Sequence, residues 1–591
     1  MDRRVGSVLV INIIGLISLF HLGAYSVAAQ STTTIILDPT VRYQTFNHWE
    51  AVSWAKDATT ENVTPTECFR REYYLANSAM PNYLNTLLDE NVALGINRIR
   101  LEVKSGSENG TDWEGQYINR QIRYANYTDD PNNPSDCSDP SPSAQVWRSV
   151  RYEIVNDDSN PTSVDTYALQ NPTAYNFPGY HFTGLDQKIE TMITPLKQKF
   201  ASLGRPHYIT LTYVDFGGSQ FEHRNNPSEF AEFILATFLH IQRKYGWVPD
   251  AVEVLEPDNA LFSATQLGQA FVAAGQRLAS FGYRPDFVGP SLSYLNGAVS
   301  YFDTFAAATY QSQTPLNYLT EFSYHLYNGN SSSLRQQVLA RATSHNLQTS
   351  MLEWWYGTAQ STWAALHNDL KIARNSAWEH GTLYGIFDVN DAANPSSPSV
   401  TIADKTKYLQ HYIRYIKPGA VRISAVTPTC NDNQDDTICT TINPLAFINP
   451  DGTYAVIIKT NSVNQAFTIS GLPAGLYGIT YTYGTTAGQH SLTYPDQTIA
   501  QGQSITQSFT NNTRGVMTIY GKSLQPTGPT TPAPNTQGDA NGDGHVDGID
   551  YVIWLNHFGQ TIPGGATVGD FNTNGIIDGV DYVLWLNNFG V

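Results

Sequence analysis

The sequence predicts an α/β protein: a (β/α)8 TIM barrel, an appended β-sandwich and a small module built from a duplicated loop and helix. Three observations carry this. From residue 82 onward, short β-rich runs alternate with helical patterns, and with the opening run they make eight units. Past residue 417 the helical spacing vanishes, and short alternating runs separated by Gly, Asn and Pro replace it. Residues 538–591 contain an internal repeat, "DANGDGHVDGID" and "DFNTNGIIDGVD", followed by "YVIWLNHFG" and "YVLWLNNFG".

The barrel units follow in order. "YQTFNHWEAVSW" is the opening strand; "YLNTLLDENVALG" is a helix that leads to the strand "INRIRLEV". "LDQKIETMITPLKQKFASLG" precedes the strand "HYITLTYV". "SEFAEFILATFLHIQRKYG", with Ser228 as its N-cap and Phe230, Phe233, Ile234 and Phe238 at helical spacing, precedes "DAVEVLE". The helices "ATQLGQAFVAAGQRLASFG", "GAVSYFDTFAAAT" and "SLRQQVLARATSHN" alternate with the strands "DFVGPS", "LTEFSYHLY" and "TSMLEWW". "TWAALHNDLKIARNSAWEHG" is the next helix and "LYGIFDV" the last strand. Strands alternating with helices imply a parallel sheet.

The expected boundaries are a signal peptide at 1–29, the barrel at 30–417, the β-sandwich at 418–523, a Pro/Thr linker at 524–537 and the repeat module at 538–591. Residues 30–40 form a strand that joins the sandwich. Residues 105–183 are polar and break the rhythm; they are either a roof over one side of the barrel mouth or a disordered insert.

Arg3 and Arg4, the apolar run "VLVINIIGLISLF" and small residues at Val27 and Ala29 read as a secretion signal cut before Gln30. A retained anchor is the other reading, but the run is short for a spanning helix, and no further segment is long enough. The mature chain is thus expected outside the cell, free or attached to its surface, with no membrane span. The formal charge is −18, from 52 acidic and 34 basic residues, which excludes nucleic acid and anionic membrane as partners. Aromatic residues make up 12% of the chain, with 35 Tyr and 11 Trp, and their flat faces suit sugar rings. Of four cysteines, Cys430 and Cys439 bracket a short polar loop and can pair; Cys68 and Cys137 pair only if the fold joins them.

At the carboxy-terminal ends of barrel strands, side chains converge on one pocket. Glu256 ends the fourth strand and Glu353 the seventh. A pair of carboxyls in that position suits glycoside hydrolysis: one protonates the leaving oxygen, the other attacks the anomeric carbon or activates water. No HExxH, Walker, GxSxG or GxGxxG motif stands out, and the 14 histidines show no metal-ligand spacing, so no catalytic cofactor is expected.

These strand-end glutamates, the signal peptide, the segment "YLQHYIRYIKPGAVRI" and the trailing sandwich resemble clan A glycoside hydrolases, most closely family 30. The resemblance implies a secreted enzyme that cleaves β-linked bonds of a poly- or oligosaccharide with retention, Glu256 being acid/base and Glu353 nucleophile. The clan has Asn directly before the acid/base; here that residue is Leu255, and Asn259 is the substitute on offer. His325 and Tyr327 end the sixth strand, where the clan places groups that orient the nucleophile. Arg100 is either a structural ion pair or a partner that favours ionised Glu353. Tyr213 and Asp215 end the third strand, Trp49, Glu50 and Trp54 follow the first, and Trp354 and Trp355 flank the nucleophile. Trp49 and Trp354 are either core or sugar platforms. Glu253 alternates with Val252 and Val254, which favours a structural role inside the barrel. A transglycosidase or a non-hydrolytic carbohydrate-binding protein are the alternatives, the latter favoured by Leu255.

In the repeat, Asp539, Asn541, Asp543, Asp547 and Asp550 fall at positions 1, 3, 5, 9 and 12 of a calcium loop, with Gly544 at position 6 and the His545 carbonyl at position 7. The second copy offers Asp570, Asn572, Asn574, Ile576 through its carbonyl, Asp578 and Asp581, with Gly575 at the turn. Two structural calcium ions are expected. Asp at position 12 and a single helix per loop resemble the type I dockerin module, which implies docking to a cohesin on a scaffold or cell surface.

Overall fold

A computed structural model describes residues 32–53, 80–104, 112, 123–124, 146–147, 160–214, 223–254, 262–354, 359–390, 399–460, 465–485, 488–509, 514–524, 537–541, 545–561 and 565–590. Eight parallel strands close into a ring: β1 (His48–Val52), β2 (Arg98–Lys104), β3 (Tyr208–Val214), β4 (Ala251–Val254), β5 (Asp286–Tyr294), β6 (Leu319–Asn328), β7 (Gln348–Met351) and β8 (Ala377–Thr382). Each strand pairs with its sequence neighbours, and β8 pairs with β1 to close the barrel.

Both faces of these strands are buried, so their sequences are apolar toward the helices and mixed toward the axis. In β3, Ile209, Leu211 and Tyr213 pack outward, while Thr210 and Thr212 share the inner face with Arg98 and Glu253. The helix Pro227–Tyr245 starts with Pro227 at its first position behind Asn226, and Gly246 ends it in the left-handed conformation. Asn226 therefore takes the place expected for Ser228. Ser263 caps the helix Ala264–Ser280 through a reciprocal bond with Gln266.

The eighth strand differs from expectation. The helix Ala359–Asn368 passes into a π turn at Asp369–Ala373 and stops at Arg374, whose φ of 54° is left-handed. "AWEHGT" is then β8, while Phe387–Asn390 pairs with Ser399–Ile402 in a separate two-stranded sheet. Leu366, Leu370, Ala373 and Ala377 keep helical spacing across this break, which disguises the strand as helix.

The described end of the polar insert, residues 160–183, does not roof the mouth. Its helix Ser163–Gln170 hands the Val164 N–H to Glu232, and Arg277 binds Asp165 at 2.9 Å. Arg243 and Arg277 sit near the carboxy ends of their helices, so this segment runs down the barrel flank. Of the rest of the insert, the described residues are Asp112, which accepts the Thr183 hydroxyl, and the two short paired strands Arg123–Tyr124 and Val146–Trp147.

Nine strands form one further sheet. The N-terminal strand, Thr32–Phe46, lies in it antiparallel to Ala420–Val426 and parallel to Ala466–Ser470. The sheet curls over a shared core in which Phe509 meets Phe467 and Tyr481 from opposite arms, the geometry of a sandwich. Barrel and sheet share buried residues, and His411 is hydrogen-bonded to Thr482 and Thr518 across the junction. Cys430 and Cys439 form a disulfide; Cys68 and Cys137 lie outside the described residues.

Candidate active site

The barrel axis is polar. Glu50 (β1), Arg98 and Arg100 (β2), Glu253 (β4), Glu321 (β6), Glu353 (after β7) and Glu379 (β8) are all buried. Arg98 grips both oxygens of Glu321 at 3.1 and 3.0 Å, contacts Glu50 and donates to Thr210. This lower tier closes the base of the ring.

Arg100 organises the tier above. Its Nη1 donates to Glu353 Oε2 at 2.7 Å and its Nη2 to the Leu352 carbonyl at 2.5 Å. Three more carboxyls stand farther off: Glu379 at 3.3 Å, Glu253 at 3.4 Å and Glu50 at 3.5 Å. Burial alone pushes the guanidinium down, but Glu379, Glu253, Glu353 and Glu50 together hold it far above its ordinary value.

Glu353 emerges beyond β7 because its chain still follows β6: Leu352 N–H donates to the Tyr324 carbonyl and Leu326 N–H to that of Glu353. Its other oxygen, Oε1, accepts the Tyr327 hydroxyl at 2.5 Å. Tyr327 is half-buried at the end of β6 and Glu353 is 7% exposed, so the carboxylate is reachable from the mouth yet held on two sides. The ring of His325 lies edge-on to that of Tyr327, 6.3 Å away, on the same inner face.

Glu253 is supported differently. It accepts hydroxyls from Thr212 at 3.0 Å and Ser291 at 2.7 Å. Burial pushes its carboxyl up, but Arg100, Ser291, His325 and Arg98 outweigh it and leave it below the ordinary range. Ser291 makes its bond from a left-handed φ of 55°, uncommon outside glycine, and its hydroxyl is also hydrogen-bonded to Ser323. Burial raises Glu50 despite Arg98 and Arg100, and burial with three neighbouring carboxyls raises Glu379 well above the usual range.

Arg100, His325, Tyr327 and Glu353 thus come together. Trp354 follows them, half-buried against the core. Trp49 and Tyr213 do not join them. Trp49 points outward from β1, fully buried, and donates its indole N–H to the Ile416 carbonyl at 2.8 Å. Tyr213 points outward from β3 among Phe230, Phe233 and Phe262, with its hydroxyl 2.9 Å from His223. Alternation along a strand puts both on the helix-facing side, so neither offers a ring to a sugar. Glu256, Asn259, Leu255, Asp215, Trp54 and Trp355 lie outside the described residues; Val254, the last described residue of β4, stands two before Glu256. Glu379 and Glu321 escaped the sequence reading. The alternation of Trp378 and Glu379 in "AWEHG" was the available signal for the first.

In the C-terminal module two helices, Gly548–His557 and Gly579–Asn588, are related by an internal twofold pattern. Trp554 donates to the Asp578 carbonyl at 3.0 Å and Trp585 to that of Asp547 at 2.8 Å. Asp547 and Asp578 cap the helices. Asp550 accepts N–H bonds from Ala540, Asn541 and Asp547, while Asp581 accepts from Asn572 and Asp578. Asp570 accepts from Asn574 and Gly575, and the Asn572 and Asn574 side chains accept from the next turns of the loop. Ile576 is exposed, Ile577 buried. Among the described residues no three His, Cys, Asp or Glu form a metal cluster; Asp543 and Gly544 lie outside them. The donor set nevertheless fits a hard cation. It is all oxygen, and the buried carboxyls of Asp550, Asp570 and Asp581 have no cationic side-chain partner among the described residues.

Fold and site together define a closed parallel barrel with an appended sheet and a carboxylate-rich mouth, carrying a separate helical module. That module is a type I dockerin: the dockerin type I domain family matches residues 527–589. No curated protein matches the chain. Among solved structures, a conserved exported protein from Bacteroides fragilis is similar with a TM-score of 0.56 and 13% identity, covering 82% of this chain and 100% of that one. The catalytic domain of GH30 xylanase C from Talaromyces cellulolyticus is similar with a TM-score of 0.49 and 16% identity, covering 83% and 100%. A GH30 endoxylanase from Clostridium papyrosolvens C71 gives 0.47 and 12%, covering 83% and 100%. At these identities the likeness is one of fold. Among the described residues no helix is long and apolar enough to cross a membrane.

Proposed function

We propose that this chain is a secreted glycoside hydrolase that cleaves β-linked bonds of a poly- or oligosaccharide with retention of configuration. The observation that carries the reading is Glu353, just beyond β7, held by Arg100 and Tyr327 and retaining a small exposed area. Both neighbours donate to the carboxyl oxygens, an arrangement that suits the ionised form a nucleophile requires.

In this reading Glu353 attacks the anomeric carbon while Glu256 protonates the departing oxygen. Glu256 then takes a proton from water as that water releases the sugar from Glu353. Retention needs the two carboxyls roughly 5 to 5.5 Å apart. Tyr327 can shift its hydrogen bond as Glu353 loses charge to the new ester bond. Asn259 and His325 are the residues we assign to binding the sugar, with Trp354 at the rim.

The dockerin would hold two structural calcium ions, one in each loop, through Asp539, Asn541, Asp543, the His545 carbonyl, Asp547 and Asp550, and through Asp570, Asn572, Asn574, the Ile576 carbonyl, Asp578 and Asp581. Bound calcium closes the loops and supports the helices behind them. A cohesin-type module on a scaffold or cell surface is the partner this implies.

Leu255, in place of the usual Asn before Glu256, favours a second reading, a carbohydrate-binding protein without turnover. Incubating the full chain with a glycan panel and reading products by mass spectrometry separates the possibilities. Hydrolysis yields new reducing ends, a transglycosidase yields longer products, and a pure binder leaves every glycan unchanged.

A further inference from the structure

Five buried carboxyls, Glu50, Glu253, Glu321, Glu353 and Glu379, share the barrel axis with two guanidiniums, Arg98 and Arg100. Even with His325 counted as a cation, negative charge would exceed positive by two if every carboxyl were ionised. An uncompensated buried charge is so costly that the group takes up a proton instead. Two protons would restore the balance, and the geometry places one of them. Glu321 has both oxygens on Arg98, Glu50 lies against the same guanidinium, Glu253 has two hydroxyl donors, and Glu353 has Arg100 at 2.7 Å and a phenol. Glu379 has none of these. Its one cation is Arg100 at 3.3 Å, and neither of its oxygens accepts a hydrogen bond among the described residues.

We propose that Glu379 is a positioning residue that fills the fourth side of Arg100 as a neutral carboxylic acid, leaving that guanidinium committed to Glu353. A charged Glu379 would compete for Nη2 and draw Arg100 toward β8. The groups that face it are Arg100 from β2, Glu50 from β1, Glu253 from β4 and Glu353 from β7, with Arg98 and His325 behind Glu50 and Glu253. Burial and the three carboxyls outweigh Arg100 and keep the proton on Glu379, in agreement with the contact geometry. The inference rests on the reading of Glu353 as nucleophile only for its catalytic consequence.

The test is Glu379→Gln, which matches the neutral acid in shape and cannot ionise. In the natural chain the unfolded state releases this proton near the ordinary glutamate value while the folded state keeps it, so that contribution to stability falls as pH rises. The melting temperature of the variant should therefore gain on that of the natural chain from pH 4 to pH 8, roughly in step with pH. A gap that stays constant, or that moves against the variant, overturns the proposal. The infrared spectrum of the natural chain minus that of the variant should show a protonated-carboxyl carbonyl band at neutral pH; a difference spectrum without that band overturns the proposal independently. For the link through Arg100, kcat/KM is followed on an aryl glycoside whose leaving group needs no proton. The alkaline limb should move to higher pH in the variant, and superimposed limbs would overturn that link. If no such glycoside is turned over, the reading of Glu353 fails, while melting and infrared still decide the charge on Glu379.

Discussion

Arg100 and Glu353 meet across the barrel mouth, Nη1 to Oε2 at 2.7 Å, although they are 253 residues apart in the chain. Three further carboxyls converge on that guanidinium, so its removal leaves several buried acids without a counter-charge. Breaking a buried pair from one side costs about 3 to 5 kcal/mol. Arg100→Met should lower stability by that order in denaturant titration, and a loss near zero would show that the acids are already neutral.

Turnover should depend on Glu353 for its nucleophile. Glu353→Ala is expected to abolish hydrolysis, with azide then restoring part of the activity and giving product of inverted configuration. Stereochemistry is read by NMR of the fresh product. Undiminished activity without azide removes Glu353 from the role.

Tyr327→Phe deletes the phenol that donates to Glu353 while keeping the ring. A hydrogen bond to a charged group contributes about 1.5 to 3 kcal/mol. If the phenol donates more strongly in the transition state than in the resting enzyme, kcat should fall by roughly ten- to a hundredfold, with KM little changed. A kcat within twofold of the natural chain would mean that the bond only positions Glu353 in the resting state.

Lys371 sets a pH dependence at the junction of barrel and sheet. It is buried beside the disulfide, donating to Asn443 at 2.6 Å with Cys430 Sγ 3.2 Å away. Burial, with Arg422 adding to it against Asp432 and Asp435, pushes its ammonium from 10.5 down to about 7. Between those values the unfolded chain binds more protons than the folded one, so this contribution to stability rises with pH. Relative to Lys371→Met, the natural chain should gain melting temperature from pH 7 to pH 10. A difference that does not vary with pH contradicts this.

Calcium removal should act on the dockerin alone. In the full chain, a chelator is expected to open residues 538–591 to protease while the barrel resists, as read by mass spectrometry of the fragments. Equal resistance of the tail with and without chelator would contradict the calcium reading.

The alternation of strands and helices, the duplicated loops and the position of Glu353 at the end of the seventh strand are legible in the chain before it folds. These are local: periodicity, turn residues and loop spacing are written in adjacent positions. Which strand face meets the barrel axis is not local, because both faces of a parallel barrel strand are buried and burial alone does not tell them apart. Only closure of the ring turned Trp49 and Tyr213 outward. Likewise, helical spacing ran on through Ala377, and a left-handed Arg374 had to break it before Glu379 could face Arg100. The charge state of that carboxyl follows from neighbours contributed by β1, β2, β4 and β7, segments distant in sequence that only the folded chain assembles.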